Sequence, residues 1–208
     1  MGIKCFWLEP TDKRALYLRR FVFSERGLVC SSNPLGIHNA SVRIEDVPAE
    51  YEEQEGRRYL TEVIPETFQD DPRWPLSCTC GYQFQGADEW RVSQDGLYRR
   101  SDTSQVIPLR DAGPGAMWNA DWMSGIWQGD DGRCLVVKLP NGSDWVIDSQ
   151  ASNCTMPDDH DQKRHHCWIR HGEPPLITVD KEGVTCGAGA GSIQSGDYHG
   201  FLRNGEFS

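Results

Sequence analysis

Two cysteines that are separated by one residue and followed by a glycine constrain the fold of this chain more than any other feature. They lie in the segment Cys78-Thr79-Cys80-Gly81-Tyr82, within a polar stretch of the sequence. The glycine allows the backbone to turn back, so that both sulfur atoms can point at one metal ion. Because a structural zinc ion binds four nitrogen or sulfur ligands in a tetrahedron, this Cys-x-Cys knuckle predicts half of a zinc site.

The other half is predicted to come from an upstream loop that contains Cys30 and His38. Four ligands from two loops form a closed structural site that leaves no coordination position open for catalysis. We therefore predict zinc bound by Cys30, His38, Cys78 and Cys80. Two alternatives stay open. Cys5 could replace Cys30 or His38, or Cys5 and Cys30 could be small buried apolar residues while His38 lies at the surface.

A second group of ligand-type residues lies in the C-terminal half and consists of Cys154, Cys167, Cys186 and His199. Residues at strand ends converge in a β-meander, so this group predicts a second zinc site. His165 and His166 lie in the same region, beside the charged run Asp158-Asp159-His160-Asp161. In the alternative interpretation these two histidines are solvated loop residues and no second metal site forms.

Cys167 also allows an enzymatic interpretation, in which its thiolate acts as a nucleophile. A nucleophilic cysteine needs a histidine within hydrogen-bond reach. His166 would point to the opposite face of a strand, so His171 or His199 would have to act as the base. We predict no catalytic residue and no residue that binds an organic cofactor. The alternative is a metal- or thiol-dependent hydrolase that uses the C-terminal cysteines and histidines.

Composition and turn signals predict a mainly β fold. Hydrophobic residues make up 38% of the 208 residues, and 21 glycines and 12 prolines are spread along the chain without a repeat period. This composition favours short strands joined by many turns. We expect a zinc-ribbon-like, β-rich N-terminal domain at residues 1–107. A β-meander of short hairpins is expected in a C-terminal domain at residues 108–208.

Individual hairpins are indicated by short turn motifs. Asn141-Gly142 lies between two apolar runs, and both residue types tolerate the positive φ angles of a tight turn. A last apolar stretch runs into Asn204-Gly205. Further turns are predicted at Pro10-Thr11-Asp12, Gln94-Asp95-Gly96 and Asp180-Lys181-Glu182-Gly183. Residues 45–75 are acidic and are interpreted as a solvated loop or a short helix.

The formal net charge of −10 bears on the class of partner. A protein that binds duplex nucleic acid needs a basic face, so this acidic chain favours a protein partner instead. A local basic patch remains possible around Arg14, Arg19 and Arg20. An apolar contact surface could be formed by three tryptophans: Trp118, Trp122 and Trp127. Packing in the core is the commoner use of tryptophan.

The N-terminal segment and the hydropathy of the chain bear on its location. Residues 1–8 contain no long apolar run after their single lysine, so they do not predict a signal peptide. No stretch of sequence approaches the apolar length that spans a bilayer, and we expect no membrane association. In a reducing cytosol, cysteines are expected to be metal ligands or buried thiols rather than disulfide-bonded.

Several short motifs are distinctive: Cys167-Trp168-Ile169-Arg170-His171-Gly172, Gly191-Ser192-Ile193 and Tyr198-His199-Gly200-Phe201-Leu202-Arg203-Asn204-Gly205, with Asp71-Pro72-Arg73-Trp74-Pro75 and the Cys-x-Cys knuckle. In these motifs the chain resembles uncharacterised small proteins encoded by tailed bacteriophages. The resemblance implies a phage origin and a location in the bacterial host cytoplasm or in the virion. It implies no activity, catalytic residue or ligand. We accordingly predict a non-catalytic phage accessory protein that binds a protein partner from phage or host.

Overall fold

The structure, a computed structural model, describes residues 2–22, 29–33, 35–85, 89–123, 125–154, 167–182, 187–188 and 191–208. Within these ranges the protein is mainly β, which confirms the predicted fold class. The strands are β1 (Ile3–Lys4), β2 (Phe6–Val22), β3 (His38–Pro48), β4 (Tyr51–Gln54), β5 (Arg57–Leu60), β6 (Glu89–Arg100), β7 (Val106–Pro108), β8 (Ala116–Asn119), β9 (Leu135–Lys138), β10 (Asp144–Val146), β11 (Ile169–His171), β12 (Thr178–Asp180), β13 (Ile193–Ser195), β14 (Tyr198–Gly200), β15 (Leu202–Arg203) and β16 (Glu206–Phe207). Short 3₁₀ turns cover Pro65–Phe68, Leu109–Asp111 and Gly125–Trp127. No helix in the described ranges has the length and apolar character that crossing a bilayer requires.

The chain divides into two compact units. The first consists of Met1–Pro10, Glu52–Tyr59 and Tyr98–Ser208, and the second consists of Thr11–Tyr51 and Leu60–Leu97. This division differs from the sequential one expected between residues 107 and 108, because strands β2 and β6 each contribute residues to both units. The finer comparison of the N-terminal half with a zinc ribbon stays a prediction.

Among the described residues the largest sheet has seven strands, in the order β10-β9-β8-β2-β6-β7 with β3 paired to β2. In the first unit β8, β9 and β10 are antiparallel, and the start of β2 pairs parallel with β8. Side chains alternate between the two faces of a sheet. Trp118 and Val136 therefore belong to one apolar cluster, and Met117 and Val137 belong to another.

The tryptophans at positions 118, 122 and 127 do not form a common contact surface. Trp118 is 4% exposed, and Trp122 packs against the same apolar cluster. Trp127 is 38% exposed. Core packing, the commoner use of this residue, therefore applies to Trp118 and Trp122.

Short hairpins complete the first unit, as predicted for the C-terminal half. β11 pairs with β12, β13 with β14 and β15 with β16, all antiparallel, and β1 pairs with β16. Both Asn-Gly signals are confirmed as hairpin turns, with φ of +84° at Gly142 and +70° at Gly205. The hairpin predicted after β12 involves residues 183–186, which lie outside the described residues.

The second unit is built on the pairing of two long strands. The later part of β2 pairs antiparallel with β3, from Lys13↔Pro48 to Val22↔His38. Every residue of β2 from position 14 to position 18 is buried, so this strand is covered on both faces. An apolar cluster of Ala15, Tyr17 and Leu97 lies in this unit.

Arg14 is a core residue of this unit rather than part of a basic patch. Its side chain is 7% exposed, and Nη1 donates hydrogen bonds to Thr61 O at 2.6 Å and to Gln94 Oε1 at 2.7 Å. Arg19 and Arg20 are half-buried and lie over phenylalanine rings. The predicted patch is therefore largely used for packing.

Two of the predicted turns are continuous strand instead. Pro10-Thr11-Asp12 lies inside β2, and Gln94-Asp95-Gly96 lies inside β6. Thr11 Oγ1 donates a hydrogen bond to Leu97 O at 2.7 Å, and the long-range pairing of β2 supplies a row of backbone hydrogen bonds. These bonds satisfy more backbone groups than a local turn would, so they override the turn preference.

The acidic stretch 45–75 is also more ordered than expected. It contains the end of β3, the β4–β5 hairpin and the 3₁₀ turn Pro65–Phe68. The hairpin turn uses Glu55 and Gly56, with φ of +52° and +74°. A glycine at the second position accounts for the tight turn, because glycine adopts positive φ without steric cost.

Candidate metal centre

The first pair of candidate ligands is held by a tight loop before β3. Cys30 N donates to Gly36 O at 2.9 Å, and Gly36 N donates to Asn33 O at 2.9 Å. Gly36 has φ of +69°, a conformation that favours glycine, and this closes the loop. His38 begins β3 and pairs with Val22, so the sheet positions its imidazole. Cys30 is 2% exposed and His38 is 4% exposed, so His38 is not the surface residue of the alternative interpretation.

The second pair lies in the Cys-x-Cys knuckle, which turns as its sequence predicts. Cys78 N donates to Tyr82 O at 2.8 Å, and Gly81 N donates to Cys78 O at 2.9 Å. Gly81 has φ of +94°, which reverses the chain directly after Cys80. The local hydrogen bonds therefore fix the direction of both thiols.

The structure brings the four predicted ligands together. The ligand atoms of Cys30, His38, Cys78 and Cys80 all lie within 4.8 Å of one another. Cys30 Sγ lies 3.7 Å from Cys78 Sγ, and His38 Nδ1 lies 3.1 Å from Cys80 Sγ. The cluster could therefore hold a metal ion. All four ligands lie in the second unit.

The distance between the two sulfur atoms fits a tetrahedral ion. A tetrahedron with zinc–sulfur bonds of about 2.3 Å has sulfur–sulfur edges of about 3.8 Å. The Cys30–Cys78 separation of 3.7 Å matches such an edge. It is far longer than a disulfide bond of about 2.05 Å, and none of the seven described cysteines forms a disulfide.

Hydrogen bonds favour the thiolate form of Cys78. Burial of this sulfur opposes its ionisation and tends to raise its pKa. Hydrogen bonds from the backbone of Cys80 and Asn39, and a hydrogen bond with the Cys30 side chain, outweigh the effect of burial. The pKa of Cys78 is therefore lowered to about 5. At Cys80 a backbone hydrogen bond from Tyr82 favours the thiolate, but burial and the neighbouring thiols raise the pKa of Cys80. Adjacent thiolates repel each other, and a divalent cation between them removes that cost.

Aromatic rings pack behind the ligands. The His38 ring stacks on Tyr82 with centroids 4.3 Å apart and an interplanar angle of 13°. Tyr82 contacts Phe84 edge-to-face, and the Arg20 guanidinium lies 5.6 Å from the centre of the Phe84 ring. This stack restrains the orientation of the imidazole, as supporting contacts do in metal sites.

Sequence reasoning missed these supporting residues. The spacing Tyr82-x-Phe84 after the knuckle was an available signal, because alternate residues of an extended segment share a face. Ser32 and Thr79 also join the two loops, with hydroxyl oxygens 2.8 Å apart. No sequence signal could reveal that contact, because 47 positions separate the two residues.

Cys5 is not one of the four clustered residues. It belongs to the first unit, where it packs beside an apolar cluster. Burial raises the pKa of the Cys5 thiol to about 12. The thiol therefore stays protonated at neutral pH, which disfavours a ligand role. The arrangement in which Cys5 replaces Cys30 or His38 is not the one observed.

The second predicted ligand set is not assembled by the residues that the structure describes. Cys167 is fully buried in a small apolar cluster, and Cys154 packs against that cluster. His199 is exposed, and its Nε2 lies 3.0 Å from Ser192 Oγ. Cys186 lies outside the described residues. Among the described residues, Cys154, Cys167 and His199 do not form a compact ligand group.

The residues of the hydrolase alternative have other contacts. The Cys167 side chain is 0% exposed, which keeps substrate away from its sulfur. His171 Nε2 lies 3.0 Å from Asp180 Oδ1. His165 and His166 lie outside the described residues.

No family model matches this sequence, and no curated protein or solved structure matches the chain. The resemblance to phage-encoded proteins therefore stays a prediction from the sequence motifs. What can be inferred about function follows from the geometry of the cluster and of the surfaces around it.

Proposed function

We propose that this chain is a non-catalytic binding protein whose second unit is held together by one structural zinc ion. The proposal rests on the closed cluster of Cys30, His38, Cys78 and Cys80, whose ligand atoms lie within 4.8 Å of one another. Three sulfur atoms and one nitrogen complete a tetrahedron, whereas a catalytic zinc ion keeps one position for water or substrate. A site of this kind contributes folding free energy rather than chemistry.

The ligand set favours zinc over the other common metals. Thiolate and imidazole are the ligands of structural zinc sites, while Ca²⁺ and Mg²⁺ require oxygen ligands. Iron–sulfur clusters are commonly held by four cysteines, and blue-copper sites use two histidines and one cysteine. A set of three cysteines and one histidine, of which only Cys80 is not fully buried, corresponds to neither of these.

The proposed cross-link would act outside the apolar core of the second unit. The described core includes Leu16, Leu18 and Phe21 of β2 and the cluster of Ala15, Tyr17 and Leu97. Cys30 and Cys78 are buried but belong to none of the described apolar clusters. Zinc that joins the loop at Cys30 to the knuckle at Cys78 would reinforce the Ser32–Thr79 contact that already links these two segments.

Exposed apolar side chains beside the ligands support a protein partner. Val29, Leu35 and Leu76 are 70%, 76% and 73% exposed, and we call these three residues the loop patch. Val29 precedes Cys30, Leu35 lies between Cys30 and His38, and Leu76 shortly precedes the knuckle. Large apolar side chains exposed to solvent are a feature of interaction surfaces. Zinc bound to the adjacent cysteines holds these loops in one conformation, which lowers the entropic cost of binding.

The partner that fits this surface is a protein from phage or host. The net charge of −10 disfavours duplex nucleic acid, and the loop patch offers apolar contacts rather than cations. A phage accessory role, in the virion or in the host cytoplasm, is part of the proposal and is supported by the sequence motifs alone.

Site-specific photo-crosslinking tests the partner proposal. A photoreactive amino acid is placed at Leu35 or at Leu76, and the protein is expressed in infected bacterial cells. We expect a discrete protein adduct that disappears when a zinc chelator is added before irradiation. The matched control is Ile64, which is 69% exposed in the same unit and lies in neither ligand loop. Equal adducts at Ile64, adducts to nucleic acid, or no adduct at the loop patch would contradict the proposal.

A hydrolytic function is not proposed, because no described contact favours it. Cys167 is fully buried, and His171 and His199 lie against Asp180 and Ser192. An enzyme of the alternative kind needs an open metal position or a cysteine–histidine pair in a cleft.

A further inference from the structure

A cavity of about 680 Å³ lies in the first unit, away in sequence from the metal cluster. Its walls come from β10, from the segment 149–153 that follows it, from Trp168 and from the β13–β14 hairpin. Pockets that bind small molecules measure from about 300 to about 1,000 Å³. The volume therefore suits a ligand of several linked rings.

Two indole rings line this cavity. Trp145 and Trp168 meet edge-to-face, with centroids 5.7 Å apart. Such rings give a ligand broad apolar faces to pack against. Trp168 Nε1 is buried and has no acceptor among the described residues. A buried donor without a partner indicates a place for a ligand or water oxygen.

The hairpin contributes polar groups to the same cavity. Gln194 and His199 lie directly opposite each other in the β13–β14 pair, so their side chains share one face of the hairpin. Both residues are exposed. His199 Nε2 lies 3.0 Å from Ser192 Oγ, which restrains the imidazole ring. Each of these groups can donate or accept a hydrogen bond.

The facing wall adds groups of the same neutral kind. Gln150 and Asn153 contribute amides, and Ser149 and Ser152 contribute hydroxyls. Amide and hydroxyl groups can both donate and accept, as a sugar hydroxyl does. A site built from such groups therefore matches a ligand that carries many hydroxyls, and it rejects analogues that lack them.

The hairpin is fixed before any ligand arrives. Asn141 Nδ2 donates to Ser195 O at 2.8 Å and to Asp197 Oδ1 at 2.9 Å. These bonds join the β9–β10 turn to the β13–β14 turn. Cys154 N donates to Ala151 O at 2.9 Å, which closes a turn in the facing segment. A preorganised site loses less free energy on binding than a flexible one.

The charge of the lining excludes other ligand classes. None of the described residues that line the cavity is Asp, Glu, Lys or Arg. A phosphorylated or nucleotide ligand would meet no cation among the described lining residues, and the net charge of −10 disfavours an anion. A wholly apolar ligand would make no hydrogen bonds with the lining amides and hydroxyls.

We propose that this cavity, lined by Trp145, Trp168, Gln194 and His199, binds a neutral oligosaccharide. The faces of the sugar rings, which carry only C–H groups, pack against the indoles, while the hydroxyls exchange hydrogen bonds with the amides, serines and imidazole. This binding site is independent of the zinc cluster and of the loop patch.

An array of oligosaccharides tests the inference on the full-length protein. It contains neutral gluco-, manno-, galacto- and N-acetylglucosamine oligomers, together with sialylated, sulfated and phosphorylated analogues. We expect at least one neutral oligomer to bind and to change the tryptophan fluorescence on titration. Gln194→Ala and His199→Ala should each weaken that binding roughly tenfold, the effect of losing one or two good hydrogen bonds. Both residues are exposed, so neither variant should unfold the protein.

Gln105→Ala is the matched control, since Gln105 is an exposed glutamine of the same unit that does not line the cavity. It should leave the affinity unchanged. The proposal is overturned if no neutral oligomer binds at millimolar concentration or if only charged analogues bind. It is equally overturned if peptides bind in place of sugars, or if Gln194→Ala and His199→Ala bind as the unmodified protein does.

Discussion

The Sγ atoms of Cys30 and Cys78 lie 3.7 Å apart, although 48 positions separate the two residues in the chain. If both thiols are ionised at this distance they repel each other, and a divalent cation held between them removes that cost. Both residues are buried beside the imidazole of His38, and the spacing is compatible with the tetrahedral zinc ion proposed above.

Replacement of Gly81 by alanine should weaken the zinc site through the backbone alone. Gly81 has φ of +94°, and an added Cβ would meet no atom within 4 Å, so the cost is conformational strain rather than a clash. We expect a loss of about 1–2 kcal/mol in the free energy of unfolding, measured by urea denaturation, together with weaker zinc retention.

Gly113→Ala is the control for this prediction. An added Cβ at Gly113 would also lie in open space, but the φ of this residue lies outside the left-handed region. Its replacement should change neither stability nor zinc content appreciably. If Gly81→Ala behaves like Gly113→Ala, the knuckle does not need the observed turn.

Trp118 and Trp127 should respond very differently to truncation. Trp118 is 4% exposed within an apolar cluster, so Trp118→Ala should lower the free energy of unfolding by roughly 3–5 kcal/mol. Trp127 is 38% exposed, and Trp127→Ala should cost less than about 1 kcal/mol. Thermal or chemical denaturation of the two variants measures the difference. Similar losses for both would show that Trp118 is not a core residue.

The buried thiol of Cys5 predicts a stability change at alkaline pH. Burial raises the pKa of Cys5 from 9.0 to about 12, so the folded protein holds this proton more tightly than the unfolded chain does. Its contribution to stability is complete below the unfolded pKa and is lost as the pH rises from 9.0 towards about 12.

Cys5→Val removes this titration while keeping an apolar side chain. The difference in unfolding free energy between the unmodified protein and Cys5→Val should therefore be constant below pH 9.0 and fall as the pH rises above it, measured by urea denaturation at each pH. A difference that stays constant above pH 9.0 as well would show that the Cys5 thiol titrates normally.

Local features of the fold and site were predictable because the determining residues are adjacent in sequence. The turn at Gly81 follows from a glycine directly after the second cysteine, and its φ of +94° is the conformation that glycine tolerates best. The hairpin at Asn141-Gly142 follows from the same physics. The four candidate ligands could be proposed from residue type and from the Cys-x-Cys spacing, and the structure brings these four side chains together.

Long-range features were not predictable from one sequence. The apparent turns at Pro10-Thr11-Asp12 and Gln94-Asp95-Gly96 lie inside strands, because pairing with distant strands outweighs local preference. For the same reason, β2 and β6 belong to both units, and no single boundary in the sequence divides them. The stack of His38 on Tyr82 likewise depends on segments far apart in the chain.

Metal content is the most direct test of the zinc cluster. The protein is purified without an affinity metal, and zinc is counted by elemental analysis and native mass spectrometry alongside the melting temperature. We expect one zinc ion per chain, lost in Cys78→Ala with a marked drop in melting temperature, since the metal contributes to folding. Cys134→Ala, which replaces an equally buried cysteine outside the cluster, should keep its zinc. The account would be contradicted if the purified protein contained no zinc and if neither chelation nor Cys78→Ala changed its melting temperature.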